Sequence, residues 1–235
     1  MPNRLANIVV DSADPAALGR FWSGLLDWPI GFETADEVCV RSPTAPHEFD
    51  LVFVPVPEPR TGRNRVHLDL ASASPAEQLA LVERAVERGG RPADVGQDGV
   101  PWIVLADPEG NEFCVLEPRE VYRDTGRIAA VVATSPDPGA AAEFWSAALD
   151  RPRSEYGVVP GPGLPHLEFL PGAPKTVKDR VHVDLLPEDR EQAVAALLGL
   201  GAHRVDLGGG DTPWTVLADP TGGEFCVLAA REPRS

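Results

Sequence analysis

The chain has 235 residues, of which 43% are hydrophobic and 24% charged, enough for one large or two ordinary globular domains. Its net charge of −15, from 36 acidic and 21 basic residues, opposes binding to DNA or RNA, so we expect no nucleic-acid partner. The sequence shows no signal peptide and no run near the roughly 20 apolar residues of a membrane span. With only three cysteines in addition, we expect a reduced, cytoplasmic protein without a membrane partner.

The first predicted elements are a short apolar strand around Asn7 and a helix that begins at Asp14-Pro15. Asp is a favoured N-cap residue and Pro suits the first helical position. The apolar residues of this helix fall on one face, at Leu18, Phe21, Trp22 and Leu25. That spacing predicts a buried stripe, followed by a β-strand in FDLVFVPV.

The next elements have the same order. A strand in RVHLDL, residues 65–70, leads to a helix that begins at Ser74-Pro75, with Leu79, Val82 and Val86 as its predicted buried stripe. The stretch PWIVLADPEGNEFCVL, residues 101–116, then forms a hairpin. Its central Asp-Pro-Glu-Gly has the residues of a type I turn.

A later part of the chain repeats this earlier part. Pro101–Leu116 returns as Pro213–Leu228 at an offset of 112, with thirteen of sixteen residues identical. FWSGLLDWP returns as FWSAALDRP and RVHLDL as RVHVDL, at offsets of 123 and 115. The conserved order indicates a duplicated domain rather than a solenoid of short repeats. We therefore predict two homologous domains, 1–120 and 126–235, joined by the polar segment REVYRDTGR.

Each domain contains a fainter repeat of its own. A short strand is followed by a helix N-cap four times, at Asp14, Ser74, Asp137 and Asp189. Four strand–helix–strands units predict an α+β fold of curved, mostly antiparallel sheets with helices on their convex faces. The sequence leaves open whether the units pair within each half or between halves.

The strands that begin with RVH carry the polar residues of greatest chemical interest. Side chains alternate between the faces of a strand, so His67 and Asp69 lie opposite Val66 and Leu68. The alternation groups His182 with Asp184 in the same way. It also places Cys114 and Cys226 on the faces opposite their neighbouring phenylalanine and valine, and puts His166 and Glu168 on one face of HLEFLP.

These motifs together resemble the vicinal oxygen chelate superfamily, which includes glyoxalase I, bleomycin-resistance proteins and extradiol dioxygenases. The features that match are an HxD strand opening the second unit, a terminal DPxGNxF strand, and the glyoxalase-like motifs RVHLDL and GNEFCVL. The resemblance covers nearly the whole chain and implies four βαβββ units forming two glyoxalase-like domains. It is specific for fold and not for activity, because the superfamily includes several chemistries and non-catalytic binders.

The resemblance also implies where a metal would bind. Metal-using members hold a divalent ion with His or Glu from four strand positions. In the first half these positions hold Asn7, Val52, His67 and Cys114, and in the second half Ala130, Glu168, His182 and Cys226. Because a cysteine replaces the expected glutamate and Val52 offers no ligand atom, we expect no catalytic metal in the first half. A metal site in the second half would use His166, Glu168 and His182.

Two hypotheses about function follow. The first is a glyoxalase/bleomycin-resistance-like protein that binds a small organic ligand in a sheet cleft, without a cofactor and without a complete catalytic metal site. The alternative is a metal-dependent lyase, isomerase or dioxygenase with one divalent metal ion in the second domain. A role in protein association alone is also open, and catalytic residues are unassigned. The partner is a small molecule and the chain a monomer or homodimer. The expected ligand-binding cleft is lined by Asn7, Arg65, His67, Asp69, Cys114, Arg180, His182, Asp184 and Cys226.

Overall fold

Four units of one strand, one helix and further strands follow one another in the computed structural model, which describes residues 3–45, 49–206 and 212–229. The first unit contains β1 (Arg4–Ser12), α1 (Pro15–Leu26), β2 (Ile30–Glu33), β3 (Val38–Arg41) and β4 (Asp50–Pro55). The second contains β5 (Val66–Leu70), α2 (Pro75–Glu87), β6 (Arg91–Pro92), β7 (Ile103–Ala106) and β8 (Glu112–Val115). A 3₁₀ helix, Glu120–Tyr122, lies in the segment that joins the halves.

The second half repeats this order. The third unit contains β9 (Ile128–Ser135), α3 (Pro138–Leu149), β10 (Gly157–Val158) and β11 (His166–Pro171), with an isolated bridge between Arg153 and Val158. The fourth contains β12 (Val181–Leu186), α4 (Arg190–Gly199), β13 (His203–Arg204), β14 (Trp214–Ala218) and β15 (Glu224–Leu228). The α+β fold of four such units is the one expected from the sequence.

Two mixed sheets are built from these strands. Sheet A has eight strands in the order β13-β14-β15-β12-β1-β4-β3-β2, and sheet B has seven in the order β10-β11-β9-β5-β8-β7-β6. The central pairs, β1 with β12 and β5 with β9, are antiparallel. Unit 1 therefore pairs with unit 4, and unit 2 with unit 3, which answers the question that the sequence left open.

The halves 1–120 and 126–235 are repeats of sequence, but neither half forms a sheet by itself. One edge of β1 binds β4 of its own unit, and its other edge binds β12 of the second half, with Val9 opposite His182. β5 likewise binds β8 on one side and β9 on the other, with His67 opposite Val132. Any site on a sheet consequently combines residues from both halves.

The core lies between the sheets and the helices. The stripe expected on α1 is buried, and Asp14, Ser74, Asp137 and Asp189 cap their helices through side-chain hydrogen bonds. The indole of Trp145 donates to Asp219, and that of Trp22 donates to Asp107, so each tryptophan ties its helix to a terminal hairpin. No helix within the described residues is long and apolar enough to cross a membrane.

The stripe expected on α2 is corrected by the structure. Val82 packs half-buried against the core, but Leu79 is 57% exposed and Val86 is also exposed, and Gln78, Leu81 and Ala85 form the buried face. The Gln78 amide donates to the backbone carbonyls of Pro101 and Val115, and this anchors its face of the helix against the terminal hairpin. A polar residue that satisfies buried carbonyls thus sets the rotation of the helix, contrary to the apolar spacing.

Candidate functional site

The candidate sites lie on the sheet faces turned away from the helices. Alternate apolar residues of β5 and β12 pack in the core, so His67 and Asp69, and likewise His182 and Asp184, point to the opposite face. We call this face of sheet A cleft A and that of sheet B cleft B. The alternation expected from the sequence therefore holds in both strands.

Each cleft contains a cluster of one histidine, one aspartate and one cysteine. Asp184 is the direct neighbour of Cys226 across the parallel pair β12–β15, and Asp69 is that of Cys114 across β5–β8. In both clusters one ligand atom from each residue lies within 4.8 Å of the others. His182 Nε2 is 3.5 Å from Cys226 Sγ and 3.6 Å from Asp184 Oδ1. The duplication has thus produced the same three-residue cluster twice.

Burial sets the protonation of the cluster in cleft A. It raises the pKa of Asp184 to about 6, with Glu37 adding to the rise and hydrogen bonds from Asn7 and Cys226 opposing it. Burial, assisted by the charges of Lys178 and Lys175, lowers the pKa of His182 to about 4. At neutral pH the imidazole is neutral and available as a ligand or hydrogen-bond partner.

The cysteines of both clusters are thiols rather than nucleophilic thiolates. Burial, followed by the charge of the adjacent carboxylate, raises the pKa of Cys226 and of Cys114. A buried thiol of this kind is a weak hydrogen-bond donor and a poor nucleophile.

Within the part of the chain that the structure describes, one carboxylate oxygen in each cluster has no hydrogen-bond partner. Asp184 Oδ1 and Asp69 Oδ1 are both buried and unsatisfied. The other oxygen of Asp184 accepts a hydrogen bond of 3.0 Å from Asn7 Nδ2. A buried oxygen that lacks a donor costs free energy unless another group supplies one, which makes these atoms candidate contacts for a ligand.

Beside the cluster, cleft A has an apolar surface, which the Arg41–Asp50 ion pair borders in register with Asn7. Val9, Cys39 and Val52 form a buried cluster against which Phe32 and Val54 pack. These residues come from β1 to β4, whereas the polar cluster comes from β12 and β15 of the other half. The cleft thus joins an apolar surface from unit 1 to hydrogen-bonding groups from unit 4.

Cleft B contains a side chain that sequence reasoning missed. Tyr122, from the joining segment, is 7% exposed and belongs to a buried cluster with Cys114, Ala130 and Val132. Its hydroxyl donates to Glu168 at 2.8 Å. The only sequence signal was one tyrosine in a polar linker, which gives no indication of an inward-facing ring.

The three residues expected to hold a metal do not form one site. His166 and Glu168 lie on β11 in sheet B, where the ring of Tyr122 contacts His166 edge-on at 5.2 Å between centroids. His182 lies on β12 in sheet A. The sequence had grouped these three residues because all of them lie in the second half of the chain. Since units pair between the halves, the residues lie in different sheets.

Two residues expected in the ligand-binding cleft lie at the strand ends instead. Arg65 makes a two-bond ion pair with Asp179, at 3.1 Å for each contact. Arg180 donates to the carbonyl of Asp11 and lies 3.6 Å from Glu109. Both arginines link the two halves rather than facing the clusters.

The metal positions of the superfamily are incomplete in both clefts. Those of cleft A hold Asn7, Val52, His182 and Cys226, and those of cleft B hold Ala130, Glu168, His67 and Cys114. Val52 is part of the apolar cluster and offers no ligand atom. The Asn7 amide donates a hydrogen bond to Asp184, and Glu168 accepts a hydrogen bond from the Tyr122 hydroxyl. These residues do not fit the four-ligand site.

The paired units, each with a helix packed on one face of a mixed sheet, have the arrangement of the vicinal oxygen chelate superfamily. A model of the glyoxalase-like domain matches residues 7–116 and 130–228, and the chain belongs to this family. Each match lies within one of the two sequence repeats.

Solved structures show the same fold over nearly the whole chain. A variant of glyoxalase I from Zea mays has 16% identity and a TM-score of 0.69, with 97% of this chain and 94% of that chain covered. A putative dioxygenase from Bacillus subtilis has 11% identity and a TM-score of 0.64, with coverage of 98% and 86%. No curated protein matched the sequence. At these identities the likeness establishes the fold alone.

Proposed function

We propose that this protein binds a small organic molecule in cleft A without a catalytic metal of the superfamily type. The observation that carries the proposal is Asp184 Oδ1, which has no hydrogen-bond partner among the described residues and lies in a polar cluster beside the apolar surface of Val9, Cys39 and Val52. Small-molecule sites are mostly apolar, with a few polar groups that fix orientation. Cleft B fits this role less well because Tyr122 lies in it.

A screen of small molecules by thermal unfolding tests this function. Compounds that raise the melting temperature are measured again on Asp184→Asn and on the matched cleft B variant Asp69→Asn. We expect the stabilisation to be lost in Asp184→Asn and kept in Asp69→Asn. The assignment to cleft A is overturned if the screen finds no stabilising compound. It is also overturned if the stabilisation is lost only in Asp69→Asn.

The second candidate is a metal-dependent enzyme of the same superfamily. The observation that favours it is the cluster of His182, Asp184 and Cys226, since nitrogen, oxygen and sulfur ligands at short range suit Zn²⁺. When bound there, a metal would polarise an oxygen of a substrate. Binding must release the thiol proton of Cys226, whose pKa is raised, and this disfavours the second candidate.

Elemental analysis distinguishes the two candidates. The protein is purified without chelator, incubated with Zn²⁺, Mn²⁺, Fe²⁺ or Ni²⁺, and freed of excess ion. The enzyme is supported if the protein retains about one equivalent of metal, and if that metal is lost in Cys226→Ala and kept in Cys114→Ala. If the protein retains no metal, the second candidate is ruled out and ligand binding without a metal remains.

A further inference from the structure

Cleft B shows which groups the chain itself places in such a cleft. The ring of Tyr122 lies in the buried cluster of sheet B, and the Arg119 guanidinium lies over the ring of Trp102, at 5.4 Å from its centroid. A short segment of the joining region therefore supplies an aromatic ring together with a cation. This is an internal occupant of the cleft, positioned by the fold.

Cleft A retains one of the groups that surround this occupant. At the repeat offset of 112, Trp214 stands at the position of Trp102, and it is 41% exposed. In the sequence of the second copy, Arg231 stands at the position of Arg119 and Arg234 at that of Tyr122. Both arginines lie outside the described residues. The second copy thus retains the tryptophan, and an arginine stands at the position of the tyrosine.

The surroundings of the ring position differ between the clefts in an informative way. Glu168, which accepts the Tyr122 hydroxyl in cleft B, is replaced in cleft A by Val52. A ring in cleft A would therefore meet apolar side chains, those of Val9 and Val52, without an acceptor at its far edge. Among the described residues Asp184 Oδ1 has no donor, as is also true of Asp69 Oδ1 in cleft B, and Asp184 is only 5% exposed.

Charge favours a cationic donor at this acceptor. The whole chain carries −15, and the cation in register with Asn7 in this sheet, Arg41, is already paired with Asp50. An ammonium group in such a position gains a charge-assisted hydrogen bond, and the field of the protein raises its local concentration.

We propose that the ligand of cleft A is an aromatic amine, with its ring against Val9 and Val52 beside Trp214 and its ammonium group donating to Asp184 Oδ1. This inference rests on the proposed function and names its ligand class. Ring contacts contribute affinity through apolar burial, and the ion pair fixes orientation.

Isothermal titration calorimetry with three probes tests the ligand class. Phenethylamine carries both the ring and the amine, toluene carries only the ring, and butylamine carries only the amine. None of them has a ring hydroxyl, because cleft A offers no acceptor at the far edge of the ring. We expect phenethylamine to bind at least tenfold more tightly than either of the others. Equal binding of butylamine would show that the ring is unnecessary, and equal binding of toluene would show that the amine is unnecessary; either result overturns the proposal.

Variants in the two clefts locate the site. Asp184→Asn should weaken phenethylamine binding at least tenfold and Trp214→Ala at least fivefold, whereas Asp69→Asn and Trp102→Ala should leave it unchanged. Circular dichroism confirms that each variant is folded. If phenethylamine fails to bind while the screen finds compounds of another class that depend on Asp184, the aromatic amine is wrong and the function of cleft A stands. If the screen also finds none, both are wrong.

Discussion

The Tyr122 hydroxyl donates to Glu168 at 2.8 Å, although 46 residues separate them and Tyr122 lies in the segment that joins the two sequence repeats. Glu168 lies on β11, so this hydrogen bond fastens the joining segment to sheet B. Burial and then the charge of Glu168 raise the pKa of Tyr122, which keeps the phenol protonated as a donor. The joining segment is therefore part of the packed structure rather than a solvated linker.

The first prediction concerns this bond. Tyr122→Phe removes the donor and leaves the buried Glu168 carboxylate without it, so the free energy of unfolding should fall by about 1–3 kcal/mol. Urea denaturation measures the change. Tyr156→Phe is the control, because Tyr156 is 51% exposed and its loss should change stability by less than about 0.5 kcal/mol. Equal effects of the two variants would show that the Tyr122 bond contributes nothing.

The second prediction concerns the rotation of α2. Gln78→Ala leaves the carbonyls of Pro101 and Val115 without their side-chain donor and should cost about 1–3 kcal/mol. Leu79→Ala removes an exposed side chain and should cost less than about 0.5 kcal/mol. Chemical denaturation compares them. The reverse order, with Leu79→Ala the more damaging, would restore the apolar stripe that the sequence suggested.

The third prediction is a pH dependence with two opposing parts. The pKa of Asp184 is raised from 3.8 to about 6, so its ionisation opposes folding above pH 6 and the opposition disappears as pH falls toward 4. The pKa of His182 is lowered from 6.5 to about 4, so stability is lost as pH falls through the same range. Each effect is on the order of 3 kcal/mol, at about 1.4 kcal/mol for each pKa unit. The two largely cancel in the wild type.

Asp184→Asn should expose the contribution of His182. The variant is expected to be more stable than the wild type at pH 7.5 and to lose that advantage as pH falls to 4. Its melting temperature, recorded from pH 7.5 to 4, should therefore decline more steeply than that of the wild type. Asp69→Asn provides the matched change in cleft B. Parallel curves for wild type and Asp184→Asn contradict the prediction.

Much of the fold could be predicted from local patterns. Strand alternation placed His67 with Asp69 and His182 with Asp184, and each N-cap followed from a local motif. These features depend on residues that are close together in the chain, so they can be predicted from the sequence pattern alone. The rotation of α2 could not be predicted, because Gln78 is buried by hydrogen bonds to a hairpin more than 20 residues away.

The composition of the sites depended on a long-range choice that the sequence did not determine. Because the repeats are so similar, β5 and β12 are equivalent partners for β1 as far as the sequence shows. The alternation of side chains along the strands is compatible with either pairing. Pairing with β12 moves His182 away from Glu168 and next to Val9. The position of Tyr122 depends in turn on β11 lying beside β9. Residues were therefore assigned to the correct face but not to the correct site.

The last prediction tests this pairing between halves. The test uses two separate chains, residues 1–124 and residues 125–235. In the first chain β1 and β5 each lack the neighbour that binds one of their edges, and in the second chain β12 and β9 do. An unpaired central edge is not stable as an exposed surface, because its backbone groups and flanking apolar residues seek another strand. When the two chains are co-expressed with a tag on one only, we expect them to co-purify in a 1:1 complex with the mass of the full chain. Light scattering after size exclusion measures that mass, and the free halves should self-associate or precipitate. Two soluble monomeric halves that do not associate would mean that each half pairs its own units, and cleft A as described here would not exist.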